Sequence, residues 1–388
     1  MKISVILPNY NHSAFIARAI DGIRAQTHQD WELCLVDDGS TDDSWSIIES
    51  YREQDPRIVA EKAPQNRGVN ATLRRGFELS TGELLYPAAA DDYLSDTRFF
   101  ELAVAALQRF PQAAFAYARA EIVDGDKGQQ IGVMGSYIPS RRNHAEAKDE
   151  TAGAPIRFIG PQEALTQFVS HHMFIPGCSV ILKRAGLTEI GGYDDALGPQ
   201  ADYFLNHALA ALHGAVFIDA PVAVARVAAT TYSGSASDDE HIRRVALVEK
   251  KLRALALPYE TDERLFAQFR TSAIGSRFVE AFQRKLFDSV RASCESIPLD
   301  ALQMFPPEPA AFVASLKEDC ARLESTLDAQ IERARAIFTE VAGPVEPLAL
   351  GSESGPRPWL KPVAEFFLSL GKILGKTFTG VGNWLWQV

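Results

Sequence analysis

Cysteine is scarce in this sequence, and positive charge is outnumbered by negative charge. The 388 residues include four cysteines, which are far apart and form no CxxC pair. We therefore expect neither a disulfide framework nor a cysteine metal site, but reduced thiols in the cytoplasm. The formal net charge of −11 disfavours binding to nucleic acid, and it predicts that an anionic ligand is held by local groups or by a metal.

Long apolar runs are also missing. No stretch approaches the roughly 18 consecutive apolar residues of a membrane-spanning helix. The apolar run at residues 3–7 is too short for a signal peptide and predicts a strand. The first residues also lack a glycine-rich, lysine-containing phosphate loop, which disfavours a nucleotidyltransferase. With 46% hydrophobic residues, the chain is nevertheless expected to bury a substantial core.

The first hundred residues alternate short apolar segments with amphipathic ones. The apolar, β-branched segments predict strands, and apolar residues at helical spacing predict helices between them. This alternation requires a mostly parallel sheet with helices on both faces, so the predicted fold class is α/β. The predicted strands are 3–7, 31–36, 58–59 and 81–86, and the predicted helices are 13–23, 43–53 and 66–79.

Polar residues follow three of these strands. They are Pro8–Asn11 after the first strand, Asp37–Asp42 after the second and Asp91–Asp92 after the fourth. Because the carboxyl ends of parallel strands meet at one edge of a sheet, the three segments are expected to form a pocket. A nucleotide suits this pocket, since a carboxylate at the second strand end can accept a hydrogen bond from a base.

Simpler explanations exist for each segment taken alone. Asp38–Thr41 has the composition of a turn with a helix cap. Asp91 and Asp92 are consistent with a solvated loop, or with Asp92 capping a helix that begins near Arg98. The occurrence of all three segments in one predicted sheet favours a binding site over these alternatives.

Four motifs carry a resemblance to a known family. They are Val5–Asn11, Leu35–Asp42, Asn66–Gly68 and Ala90–Leu94. In order and spacing they resemble the inverting GT-A glycosyltransferases of family 2, over roughly residues 1–230. The resemblance implies a GT-A fold, a nucleotide-sugar donor (a UDP-sugar being favoured), a divalent cation (Mg²⁺ or Mn²⁺) and hexosyl transfer with inversion at the anomeric carbon.

Roles in donor binding follow from the resemblance. It implies that Asp38, with Asp37 beside it, binds the base and that Arg67 belongs to the donor site. The family's Asp-x-Asp metal motif aligns with residues 89–91, so the resemblance makes Asp91 the metal ligand and Asp92 its neighbour in the donor site. The other implied donor-binding residues are Pro8, Tyr10 and Asn11.

The resemblance also implies a general base near the end of the matching region. A Gly-Gly-Tyr-Asp turn at residues 191–194 precedes Asp202, which aligns with the family's catalytic aspartate. Two alternatives stay open: Asp202 as a helix N-cap, and Asp194 as the base. We expect the polar stretch 125–150 to form a mobile excursion over the site. Candidate acceptor-binding residues are His172, Gly177, Asp194 and Gln200.

Three polar positions of the motif set are occupied by alanine. They are Ala89 in the metal motif, Ala201 before the predicted base, and Ala228 where relatives often carry a histidine. With fewer metal-side groups, affinity for the cation is expected to be low until the donor diphosphate supplies oxygens. An active enzyme is favoured, and a noncatalytic nucleotide-sugar or glycan-binding module on the same fold is the alternative.

The composition changes after the predicted catalytic domain, residues 1–237. Residues 238–342 predict an α-helical domain, in which a long helix over 310–341 has heptad-like leucines that favour packing on the preceding helices or on a second copy. A linker is predicted at 343–358 and an amphipathic helix at 359–388. The lysines and tryptophans of that helix favour the inner membrane surface, with docking on the protein as the alternative. The acceptor would then be a glycan or lipid-linked glycan, in synthesis of an envelope polysaccharide such as O-antigen or capsule.

Overall fold

A computed structural model describes residues 1–125, 127–137, 154–169, 173–227, 237–261, 263–274 and 309–343. The chain divides into two units. The first comprises Met1–Ser237 and Lys250–Thr261, and the second comprises Asp238–Glu249 and Asp262–Val388. Among the helices in these ranges, none combines the length and the apolar character that crossing a bilayer would require.

A mixed sheet forms the centre of the first unit. Along the sheet the strand order is β3-β2-β1-β4-β11-β6-β12-β5, with β7 paired to β6 and β9 to β12, while β8 and β10 form a separate pair. The strands are β1 (Ile3–Asn9), β2 (Trp31–Asp37), β3 (Ile58–Lys62), β4 (Leu84–Pro87), β5 (Tyr93–Leu94), β6 (Phe115–Asp124), β7 (Gln130–Met134), β8 (Ser136–Tyr137), β9 (Ile156–Ile159), β10 (Met173–Phe174), β11 (Val180–Lys183) and β12 (Ala215–Val227).

The helices connect these strands and continue into the second unit. Short 3-10 segments, Gly177–Ser179 and Asp195–Gln200, precede β11 and α7. The α-helices are α1 (Ile16–Arg24), α2 (Ser44–Gln54), α3 (Val69–Leu79), α4 (Phe99–Arg109), α5 (Pro161–Val169), α6 (Arg184–Ile190), α7 (Ala201–His213), α8 (Asp238–Arg253), α9 (Glu263–Ile274) and α10 (Pro309–Ala342).

The predicted α/β class is confirmed. Strands β2, β1 and β4 are parallel neighbours, with Asn9 opposite Asp37 and Ile6 opposite Pro87. Residues Ile3–Leu7 are buried because helices cover both faces of the sheet. On the α3 side the approach is close enough that a Cβ at Gly76 would overlap Ile6 Cγ2.

One central strand runs against its neighbours. β11 is antiparallel to both β4 and β6, with Leu182 opposite Leu85. Its first residue therefore lies at the edge where β1, β2 and β4 end, and the Gly177–Ser179 segment reaches the same edge. β6 and β12 are parallel to each other, so the end of β12 also lies there.

The predicted excursion at 125–150 is in part a β-hairpin, which corrects the sequence interpretation. Gln130–Met134 pairs with β6, and Ser136–Tyr137 forms β8. The turn is stabilised by the Lys127 N–H, which donates to Asp124 Oδ1 at 2.9 Å, and by Gly128 at φ 67°. A polar composition concealed a strand because only Ile131 and Val133 alternate within it. Residues 138–150 lie outside the described ranges.

In the second unit, α10 covers the helix predicted over 310–341, and apolar residues along one of its faces are buried. Leu327, Ile331 and Phe338 are buried. Ion pairs join α10 to the part of α8 that belongs to this unit, including Arg243–Glu340 at 2.7 Å. These contacts favour packing on a preceding helix, while self-association stays a prediction. The predicted linker after Gly343 and the amphipathic helix at 359–388 lie outside the described residues.

Candidate active site

The ends of β1 and β2 are joined by a buried polar cluster. Asn9 Nδ2 donates to Asp37 Oδ2 at 2.7 Å and to Ser40 Oγ at 3.1 Å, and the Ser40 N–H donates to Asp37 Oδ1 at 2.9 Å. Asp37 is 0% exposed. Both of its oxygens thus hold the loops together, so Asp37 supports the edge of the pocket from beneath.

Asp38 holds the segment that precedes α3. Its Oδ1 accepts from the Arg67 N–H at 2.9 Å and its Oδ2 from the Gly68 N–H at 2.8 Å. The carboxylate is buried, whereas the Arg67 side chain is exposed. Two of the predicted donor-binding segments therefore meet here. Each Asp38 oxygen has a further lone pair that could accept a ligand N–H.

The loop after β1 presents an aromatic side chain at the same edge. Tyr10 is 42% exposed, and Pro8 is half-buried. Asn11 has a left-handed φ of 55°, and its Oδ1 accepts from the Thr41 N–H at 2.9 Å. The exposed Tyr10 ring is suited to stacking on a nucleobase.

Asp91 and Asp92 follow β4, and both are half-buried. Asp92 Oδ1 accepts from the Arg226 N–H at 2.9 Å. Burial and the neighbouring Asp91 charge raise the pKa of Asp92 to about 7. The alternative that Asp92 caps α4 is wrong, because the N-cap residue is Arg98 and no side chain makes a capping bond there.

The Gly177–Ser179 segment lies beside the acidic pair. Burial, together with the negative charges of Asp92 and Asp91, raises the pKa of the Cys178 thiol. The Tyr86 hydroxyl donates to the Cys178 carbonyl at 2.8 Å and thereby holds the segment against β4. Sequence reasoning did not identify Tyr86 or Cys178, because their contacts depend on the antiparallel position of β11.

Asp202 approaches the same segment from α7. A Cβ placed on Gly177 would lie 3.1 Å from Asp202 Oδ2. Solvent reaches the Asp202 side chain, yet burial among surrounding protein atoms raises its pKa, opposed by backbone N–H groups. Asp202 lies within the first turn of α7 and Gln200 is the N-cap residue, so the N-cap alternative for Asp202 is wrong.

The remaining acceptor-site candidates have different surroundings. Asp194 Oδ1 accepts from the Ala196 N–H at 2.9 Å, and its Oδ2 lies 2.6 Å from Lys251 Nζ. Asp194 is thus engaged in holding the turn. Gln200 is half-buried and makes no capping hydrogen bond. His172 and Ala228 lie outside the described residues.

The comparison with protein families decides the nature of this part of the chain. Residues 4–185 match the family model described as Glycosyl transferase family 2. They form a glycosyltransferase family 2 domain. The domain contains Asp38, Asp91 and Gly177, and its matched region ends before Asp202.

Curated relatives match a short part of this domain. An uncharacterized glycosyltransferase of Nostoc sp. is 44% identical over 92 residues, which are 24% of this chain and 29% of the relative. The poly(ribitol-phosphate) beta-glucosyltransferase of Bacillus spizizenii is 32% identical over 97 residues, which are 24% of this chain and 15% of the relative. The chain therefore spans well under half the length of these relatives.

A solved structure resembles most of the chain. The crystal structure of S. aureus TarS 1-349 in complex with UDP-GlcNAc aligns with 88% of this chain and 90% of that chain, with a TM-score of 0.54 and 17% identity. At this identity the likeness concerns the fold, and it agrees with the α/β architecture predicted from the sequence.

The family 2 domain offers two adjacent carboxylates to a cation. Within the described ranges, no group of three or more His, Cys, Asp or Glu side chains is arranged to hold a metal. A Mg²⁺ ion that also binds phosphates needs only one or two carboxylates. Burial and like charge disfavour ionisation of Asp92, and a cation would offset both effects. The pair therefore fits an ion that shares its coordination with a diphosphate.

Proposed function

We propose that this protein is an inverting glycosyltransferase that moves a sugar from a nucleotide-sugar donor to a hydroxyl group of a glycan or lipid-linked glycan. One observation carries the proposal. The charges of Asp92 and Asp91 act on Cys178, and a Cβ on the neighbouring Gly177 would lie 3.1 Å from Asp202 Oδ2. A group that holds a leaving diphosphate and a group that accepts a proton would thus act in one cleft.

The reaction is a direct displacement at the anomeric carbon. Asp202 takes the proton of the acceptor hydroxyl as that oxygen forms its bond to the sugar, and the bond between the sugar and the diphosphate breaks on the opposite side. The raised pKa of Asp202 suits it to this role, since a stronger base withdraws the proton more readily. The nucleoside diphosphate leaves with the bonding electrons.

The donor is held at the ends of β1 and β2. Asp38 accepts an N–H of the base, Tyr10 stacks on the ring, and the exposed Arg67 attracts the phosphates. Asp91, with Asp92 beside it, would hold a Mg²⁺ or Mn²⁺ ion, which when bound neutralises the charge developing on the leaving group. The fold likeness to TarS, whose structure contains UDP-GlcNAc, supports a UDP-sugar as the first donor to test.

The first experiment identifies the donor. The full chain is screened with a panel of nucleotide sugars and Mn²⁺, and the donor is the compound that raises the melting temperature, because a ligand bound only by the folded state stabilises it. Release of the nucleoside diphosphate in the presence of glycan acceptors then measures transfer.

The second experiment tests the base. Asp202→Asn is expected to abolish transfer while keeping the donor-induced rise in melting temperature. Asp30→Asn is the matched control, because Asp30 precedes β2 at the opposite edge of the sheet. If Asp202→Asn retained transfer, another residue would be the general base. Donor binding without turnover in the wild type would favour the alternative, a noncatalytic binding module.

The membrane and pathway assignments remain sequence-based proposals. Binding of residues 359–388 to the inner membrane surface is measured by sedimentation with anionic vesicles. A role in envelope polysaccharide synthesis is supported by the name of the Bacillus relative, which acts on a poly(ribitol-phosphate). An acceptor assay with lipid-linked glycans tests this role.

A further inference from the structure

Residues Lys250–Thr261 belong to the first unit and contact both ends of α7. Lys251 Nζ lies 2.6 Å from Asp194 Oδ2 and 5.8 Å from the ring centroid of Phe204, in the first turn of the helix. At the other end, the Tyr259 hydroxyl lies 3.1 Å from the carbonyl oxygen of Ala211. This segment lies outside the residues that match the family model.

The turn before α7 depends on Asp194. Its carboxylate caps the 3-10 segment Asp195–Gln200, which leads directly into the helix. Hydrogen bonding and the positive charge of Lys251 lower the pKa of Asp194, although the adjacent Asp195 opposes this effect. Asp195 itself pairs with Arg74 of α3 at 2.8 Å. Two cations from separate elements therefore hold two neighbouring carboxylates that would otherwise repel each other.

We propose that Lys251 is a positioning residue for Asp202, acting through Asp194 and the first turn of α7. This inference rests on the proposed function of Asp202 as the base. Asp202 follows the capped segment by two residues, so the direction of its carboxylate depends on where that segment ends. A base displaced from hydrogen-bonding distance of the acceptor hydroxyl loses rate steeply with distance.

The test compares neighbouring lysines in the full chain. Lys251→Met removes the charge and keeps most of the aliphatic stem. Lys250→Met is the matched control, because Lys250 is exposed. For Lys251→Met we expect transfer kcat to fall roughly 10-fold, with an unchanged donor-induced rise in melting temperature. Lys251→Arg is expected to restore most of the rate, since a guanidinium can also pair with Asp194.

A double variant separates positioning from general destabilisation. If Lys251 acts through Asp194, the pair Lys251→Met and Asp194→Asn lowers kcat no further than either change alone, because both remove the same contact. The inference would be overturned if Lys251→Met kept the wild-type kcat, or if Lys250→Met lost as much kcat as Lys251→Met. It would also be overturned if Lys251→Arg folded but was as slow as Lys251→Met. Absence of transfer by the wild type with any donor would instead overturn the proposed function, and this inference with it.

Discussion

A methyl group at residue 177 would press directly on the proposed base. In Gly177→Ala the new Cβ would lie 3.1 Å from Asp202 Oδ2, so the carboxylate would have to move by a few tenths of an ångström. If a misplacement of about 1 Å costs roughly 100-fold in rate and the loss is log-linear with distance, a shift of about 0.3–0.5 Å costs roughly 4- to 10-fold. This loss corresponds to about 1 kcal/mol of transition-state stabilisation.

The same methyl group would exclude water from Asp202. Burial already raises the pKa of this carboxyl, and further desolvation raises it again. A general base acts when deprotonated, so the transfer rate rises with pH through this pKa. The rising limb of the pH–rate profile is therefore expected at higher pH in Gly177→Ala than in the wild type. Donor binding is expected to be unchanged.

Initial rates at saturating donor, measured from acidic to alkaline pH, check this prediction. Gly160→Ala is the control, because its Cβ would find its nearest neighbour, Phe158 Cε1, at 4.0 Å. A Gly177→Ala enzyme with the wild-type rate and the wild-type pH profile would refute the proposed position of the base. A loss of the same size in Gly160→Ala would show that the effect is not local to the cleft.

Three further predictions concern the metal motif, the second unit and the pH dependence of stability. Ala89→Asp adds a carboxylate to the proposed metal motif and should lower the Mn²⁺ concentration needed for half-maximal transfer, measured by metal titration. Arg270 pairs with Glu249 at 2.6 Å, and both side chains are fully buried. Arg270→Met should therefore lower the unfolding free energy, measured by denaturant titration, by about 3–5 kcal/mol. Adding Glu249→Leu should recover much of this loss, because it removes the buried charge that had paired with Arg270. Burial tends to raise the pKa of Glu32, but hydrogen bonds from a lysine, two hydroxyl groups and a backbone N–H lower it to about 2 from 4.5. The charged form thus contributes about 3 kcal/mol of stability above pH 4.5, lost as the pH falls towards 2 and absent in Glu32→Gln.

Local pattern was sufficient for much of the fold. Strands β1, β2 and β4 follow from short apolar, β-branched segments and the helices between them from apolar residues at helical spacing, and the long helix α10 spans the predicted 310–341. These features depend on near neighbours in sequence, because consecutive residues by themselves form an apolar run or an apolar helical face. The acids at the strand ends could be found for the same reason, since each follows an apolar run directly.

The positions of the segments that form the site depend on contacts between residues that are distant in sequence. Nothing in the residues Val180–Lys183 themselves indicates that they form a strand antiparallel to β4, and it is this pairing that brings Gly177 to the cleft. Composition likewise concealed the strand β7, whose pairing with β6 depends on the turn at Gly128. Sequence patterns report which residues are buried, whereas the direction of a strand depends on its partners.

The side chains that hold the site residues in place show most clearly what the sequence determines and what the tertiary structure determines. The sequence by itself determined which acids were present, Asp38, Asp91 and Asp202 among them, and that each stood at the start of a turn or helix. Only the tertiary structure decided that Asp38 binds the N–H groups before α3 and that Lys251 pairs with Asp194, 57 positions earlier in the chain. Such pairs carry no local signal, because an exposed lysine or a turn aspartate has the same sequence pattern whether or not a partner lies opposite it.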